Sequence, residues 1–169
     1  MHDIFAALHI TGAISAYLCA FLLFTQKVGS RKHRLFGIGY AVAMLTAALS
    51  GFGIYNWGHP SIFHVFSVIT LVSISRGWYA IYQYRQSRDT AHLLNHYFNM
   101  AYSFMGINLA AIAQLMRAFS YDSVAQYFTI LGVAYLAAIL IANRLIQKVY
   151  FRRFARWFKA GPANKNSAA

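Results

Sequence analysis

The chain has 169 residues, 59% of them hydrophobic and only 11% charged, with a net charge of +12. A soluble domain carries about 25% charged residues, so this composition excludes an ordinary water-soluble globule and fits lipid as solvent. The excess charge lies in short clusters beside apolar runs, which points to a membrane surface and away from nucleic acid.

The single cysteine, Cys19, excludes an internal disulfide and any zinc or iron–sulfur site built from cysteines. The opening "MHDIFAALHI" has no basic leader and carries Asp3, so the first apolar run is expected to remain as a span. Five segments are long enough to cross about 30 Å of hydrocarbon as helices: 4–26, 33–55, 61–83, 94–116 and 124–146. "QKVGSRKHR", "YNWGHPS" (with Gly58 and Pro60), "YRQSRDT" and "RAFSYDS" separate them. The expected fold is an all-α integral membrane protein whose first four helices form a bundle. Residues 1–146 make the membrane domain and 147–169 a basic, aromatic tail.

Lys27, Arg31, Lys32 and Arg34 occupy the first connection, and Arg85 and Arg88 the third. Arg144, Lys148, Arg152, Arg153, Arg156, Lys159 and Lys165 crowd the C-terminal part, whereas the second connection has no cation and the fourth only Arg117. The positive-inside rule then puts the N-terminus outside and the C-terminus in the cytoplasm. In the tail, Tyr150, Phe151, Phe154, Trp157 and Phe158 alternate with cations, a pattern for anchoring on anionic lipid.

Four histidines fall one to a span in the first four spans. His9 and His64 lie toward the outer face, on the first and third; His33 and His96 lie toward the inner face, on the second and fourth. In a sequentially connected four-helix bundle these are diagonal pairs, each able to point at one central object. Two stacked b haems with bis-imidazole ligation fit that plan; use of one pair alone would give one haem. Small residues follow the same faces. Gly12, Ala13, Ala16 and Ala20 follow His9, and Gly37 follows His33. Gly51 shares the His33 face 18 residues on, about 27 Å along the axis. Such residues leave room for a flat macrocycle, but they also occur wherever membrane helices pack closely. A boundary histidine can simply be solvated, and His33 has cations on both sides.

Arg76, inside the third span, is a buried guanidinium in search of an anion, either a haem propionate or an anionic substrate; the alternative is snorkelling to the interface. Arg34, Arg85, Arg88 and Arg117 could meet propionates at the two faces. Tyr40, Tyr82 and Tyr102 are candidate hydrogen-bond donors. Met100, one turn from His96, could ligate iron or copper but more commonly such a methionine packs a core. His2, His59 and His92 are border residues expected in solvent, with His2 or His59 a substitute outer ligand. "HLLNH" and "HPSIFH" have the spacing of di-iron boxes but would lie on opposite sides of the membrane, without nearby carboxylates. No phosphate-binding loop, nucleophile elbow or zinc helix motif occurs.

With these residues placed, "HRLFGIGY" and "HYFNMAY" resemble an uncharacterised family of small bacterial multi-pass membrane proteins. The alternating pairs resemble the diheme core of cytochrome b561-type electron carriers. That second resemblance implies haem ligation by His9 with His64 and by His33 with His96, and electron transfer across or within a membrane. Heme b is then the expected cofactor. Membrane lipid, a quinone or quinol, a partner redox protein or a second copy are the expected partners. The competing reading from another class is a cofactor-free membrane partner or assembly subunit. A small transporter and an intramembrane copper handler complete the set.

Overall fold

The computed structural model describes residues 2–54 and 62–153, and its elements are five helices: α1 (His2–Thr25), α2 (Arg31–Gly51), α3 (Ile62–Ser87), α4 (Thr90–Met116) and α5 (Val124–Arg153). No strand occurs among the described residues. Four of the five, α1, α2, α3 and α5, are long and apolar enough to cross a membrane. At 27 residues α4 has the length and carries no charged residue, but His92, Asn95, His96, Asn99, Asn108 and Gln114 lower its hydropathy. The chain is a multi-pass membrane protein by this measure. The loop "YNWGHPS", with His59, falls wholly outside the described residues. So does the tail from Phe154 onward, and so do the side chains of His2, Ile62, Phe151 and Arg153.

Three helix boundaries differ from the sequence expectation. α2 stops at Gly51, capped by Phe52, whose N–H donates to the Leu49 carbonyl at 3.2 Å, while the Gly53 N–H donates to the Ser50 carbonyl at 2.9 Å. Gly51 and Gly53 weaken helix propagation there, and a Cβ on Gly53 would enter the Phe5 ring. The polar run after Tyr84 remains helical to Ser87, because Arg and Gln favour helix as well as apolar residues do. The α3–α4 connection is therefore only Arg88 and Asp89. Arg88 adopts a left-handed conformation with φ 58, and the Asp89 side chain caps α4 by accepting from the Ala91 N–H at 2.9 Å. Finally, α5 runs on through Lys148 to Arg153, so the start of the basic tail is continuous with the last span.

Packing follows the rule for helices in lipid, where small residues line the contacts and large ones face outward. Ala16, Ala20, Ala41, Ala43, Ala47 and Ala48 are buried, while Ile10, Ile14, Leu18 and Phe21 on α1 alone are more than half exposed. α1 and α2 touch along Gly12, where a Cβ would stand 2.9 Å from the Ala47 nitrogen and 3.0 Å from the Ala43 oxygen. α3 and α4 close at Gly77, against Met100 and Asn99. The shared core contains Tyr40, Met44 and Ile74, with Met100, Phe104 and Ile107 packed on it.

Polar contacts tie the two hairpins into one four-helix bundle. Tyr40 Oη and Ser103 Oγ lie 3.0 Å apart between α2 and α4. Tyr17 Oη reaches the Ile107 carbonyl and Asn108 Oδ1, both at 3.4 Å, between α1 and α4. α5 lies beside α4: Tyr97 Oη donates to the Ile146 carbonyl at 2.7 Å and Tyr102 Oη to Asn143 Oδ1 at 2.9 Å. The Phe98 and Tyr150 rings meet at 5.4 Å.

Candidate haem-ligand histidines

His9 is the eighth residue of α1 and His64 the third of α3; His33 is the third of α2 and His96 the seventh of α4. The bundle is antiparallel across its short connections, so His9 and His64 share one end and His33 and His96 the other.

Both of the more interior histidines make the same bond. His9 Nδ1 lies 2.8 Å from the Ala47 carbonyl oxygen of α2, and His96 Nδ1 lies 2.9 Å from the Gly77 carbonyl oxygen of α3. A carbonyl oxygen can only accept, so Nδ1 must carry the proton in each ring. In a neutral imidazole that leaves the lone pair on Nε2. A backbone carbonyl on the second nitrogen is also what orients a metal-ligating histidine and raises its basicity. The acceptors already serve their own helices, but a carbonyl has two lone pairs and can take a second donor.

At the end that holds His33 and His96, the His33 backbone N–H donates to the Ser30 hydroxyl at 3.1 Å, which caps α2 and fixes the ring's starting point. His33 Nδ1 is buried and has no hydrogen-bond partner. One turn further along α2, a Cβ on Gly37 would meet nothing within 4 Å. The inner end thus combines a His96 ring held by the Gly77 carbonyl, an unsatisfied His33 ring nitrogen and open space beside Gly37.

At the other end, a Cβ on Gly51 would lie 3.5 Å from His9 Nδ1 and 3.0 Å from Ser67 Oγ. Ser67 is one turn beyond His64 on α3, so the α1 and α3 histidine faces both meet the end of α2. The His64 ring sits against Phe52, with centroids 6.0 Å apart.

Two expectations need correcting. Gly12 does not open onto cofactor space; the α2 backbone fills its small side, so it serves close packing of α1 on α2. Arg76 is not buried in the bundle. It is exposed and lines a cleft of about 260 Å³ with Tyr79, Ala80, Gln83, Asn95 and Asn99, on the α3–α4 surface. Its neighbour on the chain, Gly77, turns toward α4 and His96, so the guanidinium leaves on a different face. His92 also differs from a fully solvated border residue, since its Nδ1 is buried without a partner. Met100 packs against Gly77 and the core. Among the described residues no three of His, Cys, Asp and Glu gather as a metal-binding group, and His59 of the "HPSIFH" box lies outside them. A haem needs only two such ligands.

The sequence reading missed the two carbonyl acceptors, Ala47 and Gly77, and the Tyr40–Ser103 bond. Backbone acceptors leave no mark in a sequence. No protein family, curated protein or solved structure matches the chain.

Proposed function

We propose that this chain is a transmembrane b-type cytochrome of a bacterial plasma membrane, with α4 as a fifth span, the N-terminus outside and the C-terminus in the cytoplasm. His33 and His96 would hold one haem toward the cytoplasmic face, and His9 and His64 a second toward the outer face. The observation that carries this reading is the matched Nδ1–H···O=C bond of His9 and His96, which leaves each Nε2 as a free ligand at a different depth. The residues fit the group best at the inner site, where Gly37 leaves space beside His33. At the outer site Gly51 is the small residue between the histidine-bearing faces.

A bound haem supplies reversible one-electron chemistry, its potential set by the axial ligands and burial. The protein's own residues orient the imidazoles and keep water out. The Ala47 and Gly77 carbonyls fix the ring tautomers. Tyr40, Met44 and Ile74 form a dry layer between the two levels, and the Tyr40–Ser103 bond satisfies the hydroxyl groups within it. Without water to compete, each such bond resists disruption more than it would at a wet surface. A lipid-soluble quinone or quinol, or a partner redox protein, would exchange electrons at the faces.

The test is the spectrum of protein purified from haem-replete cells, oxidised and then reduced with dithionite. Narrow reduced α-bands and two haems per chain by pyridine haemochrome are expected. His33→Ala and His96→Ala should each retain only the outer haem, and His9→Ala and His64→Ala only the inner one. A colourless protein refutes the reading. It would favour the cofactor-free partner subunit, for which the close packing of Gly12 on α2 and the filled central core speak.

A further inference from the structure

Arg76 lies in the middle of a membrane helix with no counter-ion. The sequence has only three acids. Asp3 is in the first turn of α1, Asp89 caps α4, and Asp122 lies in the α4–α5 connection. No carboxylate among the described residues pairs with the guanidinium.

The guanidinium shares its cleft with polar groups from two helices. Arg76, Tyr79 and Gln83 follow at helical spacing on α3, with the small, buried Ala80 as floor, and Asn95 and Asn99 face them one turn apart on α4. The Asn99 amide spends one N–H on the Asn95 carbonyl at 2.8 Å, leaving its oxygen and second N–H. The lining supplies five guanidinium donors, amide donors and a phenol, and no group that takes up a proton at neutral pH. That set suits an oxyanion. It does not suit deprotonation of a quinol.

Depth selects the source of the anion. Trp78, Tyr79 and Tyr82 are 45%, 60% and 58% exposed and follow Arg76 directly on α3. Aromatic residues of this kind mark the headgroup level of a bilayer. The cleft starts just beneath that belt and runs past it to Gln83, which is where the phosphate of a phospholipid would lie.

We propose that the Arg76 cleft is a binding site for the phosphodiester of an anionic phospholipid. The phosphate pairs with Arg76, and the amides of Gln83, Asn95 and Asn99 bond headgroup hydroxyls. The site is separate from the histidine pairs and stands without any haem.

The test uses the full-length protein, delipidated in a neutral detergent, with native mass spectrometry to count bound lipid. Phosphatidylglycerol is expected to bind more tightly than phosphatidylcholine of the same chains. Arg76→Gln should weaken that binding by about tenfold, as expected for loss of a charge-assisted contact. Asn95→Leu, which keeps the charge, should weaken it less but measurably. Arg31→Gln, which removes one cation outside the cleft, should leave it unchanged. Equal binding of the two lipids, or Arg76→Gln indistinguishable from Arg31→Gln, overturns the proposal. Displacement of the lipid by an equal concentration of soluble glycerol phosphate would show a free-phosphate site and overturn the lipid assignment. If Arg76→Gln does not fold, Asn95→Leu decides, and no effect there is also a refutation.

Discussion

The contact of α1 with α2 at Gly12 can be tested without reference to any cofactor. An alanine there would place its Cβ 2.9 Å from the Ala47 nitrogen and 3.0 Å from the Ala43 oxygen, where ordinary contacts begin at 3.4 Å. Both neighbours are backbone and cannot rotate aside, so α1 must retreat by about half an ångström in a closely packed region. Overpacking of this kind costs about 1–3 kcal/mol, against a helix-propensity gain of up to about 1 kcal/mol. The same retreat stretches the 2.8 Å bond from His9 to the Ala47 carbonyl. Gly12→Ala should therefore destabilise the protein by about 1–2 kcal/mol. Gly37→Ala meets nothing within 4 Å and should be neutral or stabilising by up to about 1 kcal/mol. Reversible unfolding in mixed detergent micelles measures both. If the two variants unfold within about 0.5 kcal/mol of each other, the close approach of α1 and α2 is not as described.

Three further outcomes are expected. Tyr40→Phe and Ser103→Ala should each destabilise by about 1 kcal/mol, with a double-mutant cycle showing coupling of about 0.5–1.5 kcal/mol for the buried hydroxyl pair in the same unfolding assay. In a Cys19→Ser background, Val28→Cys should react with an impermeant thiol reagent only from the cytoplasmic side and Ser123→Cys only from the outside; the reverse pattern would invert the topology. Tyr97→Phe should loosen α5 more than Tyr121→Phe does, seen as faster protease cleavage near residue 120. The first loses the bond to Ile146, whereas the second loses only a local bond to Met116.

Much of the architecture could be read directly from hydropathy. Long apolar runs must be helices in lipid, because no water is present to satisfy an open backbone, and five helices are found among the described residues. Their ends were harder to place, since the segment from Tyr84 to Ser87 is polar yet helical. Apolarity marks where lipid stops, while helix propensity marks where the helix stops, and the two need not coincide. At the histidines, sequence spacing showed which residues share an end of the bundle. It could not show that Ala47 and Gly77 offer their carbonyls, because every residue has one. Gly12 was misread because a small side chain looks the same whether it faces a ligand or another helix. Arg76 was expected buried and is exposed, because being mid-span does not say which face a residue takes. The spacing of Arg76, Tyr79 and Gln83, with Asn95 and Asn99 four apart, was available as a signal of a polar stripe.

The two-residue turn at Arg88 and Asp89 bears on how the protein enters the membrane. So short a tether cannot let one arm stay in water while the other settles in oil. On the proposed five-span reading α3 and α4, antiparallel and joined through Gly77, partition together, and the greasier arm carries the one whose amides and imidazoles would be reluctant alone. Lengthening that turn with a flexible glycine–serine insert should release α4 from this obligation, giving a mixture of inserted and uninserted chains where the native protein gives one.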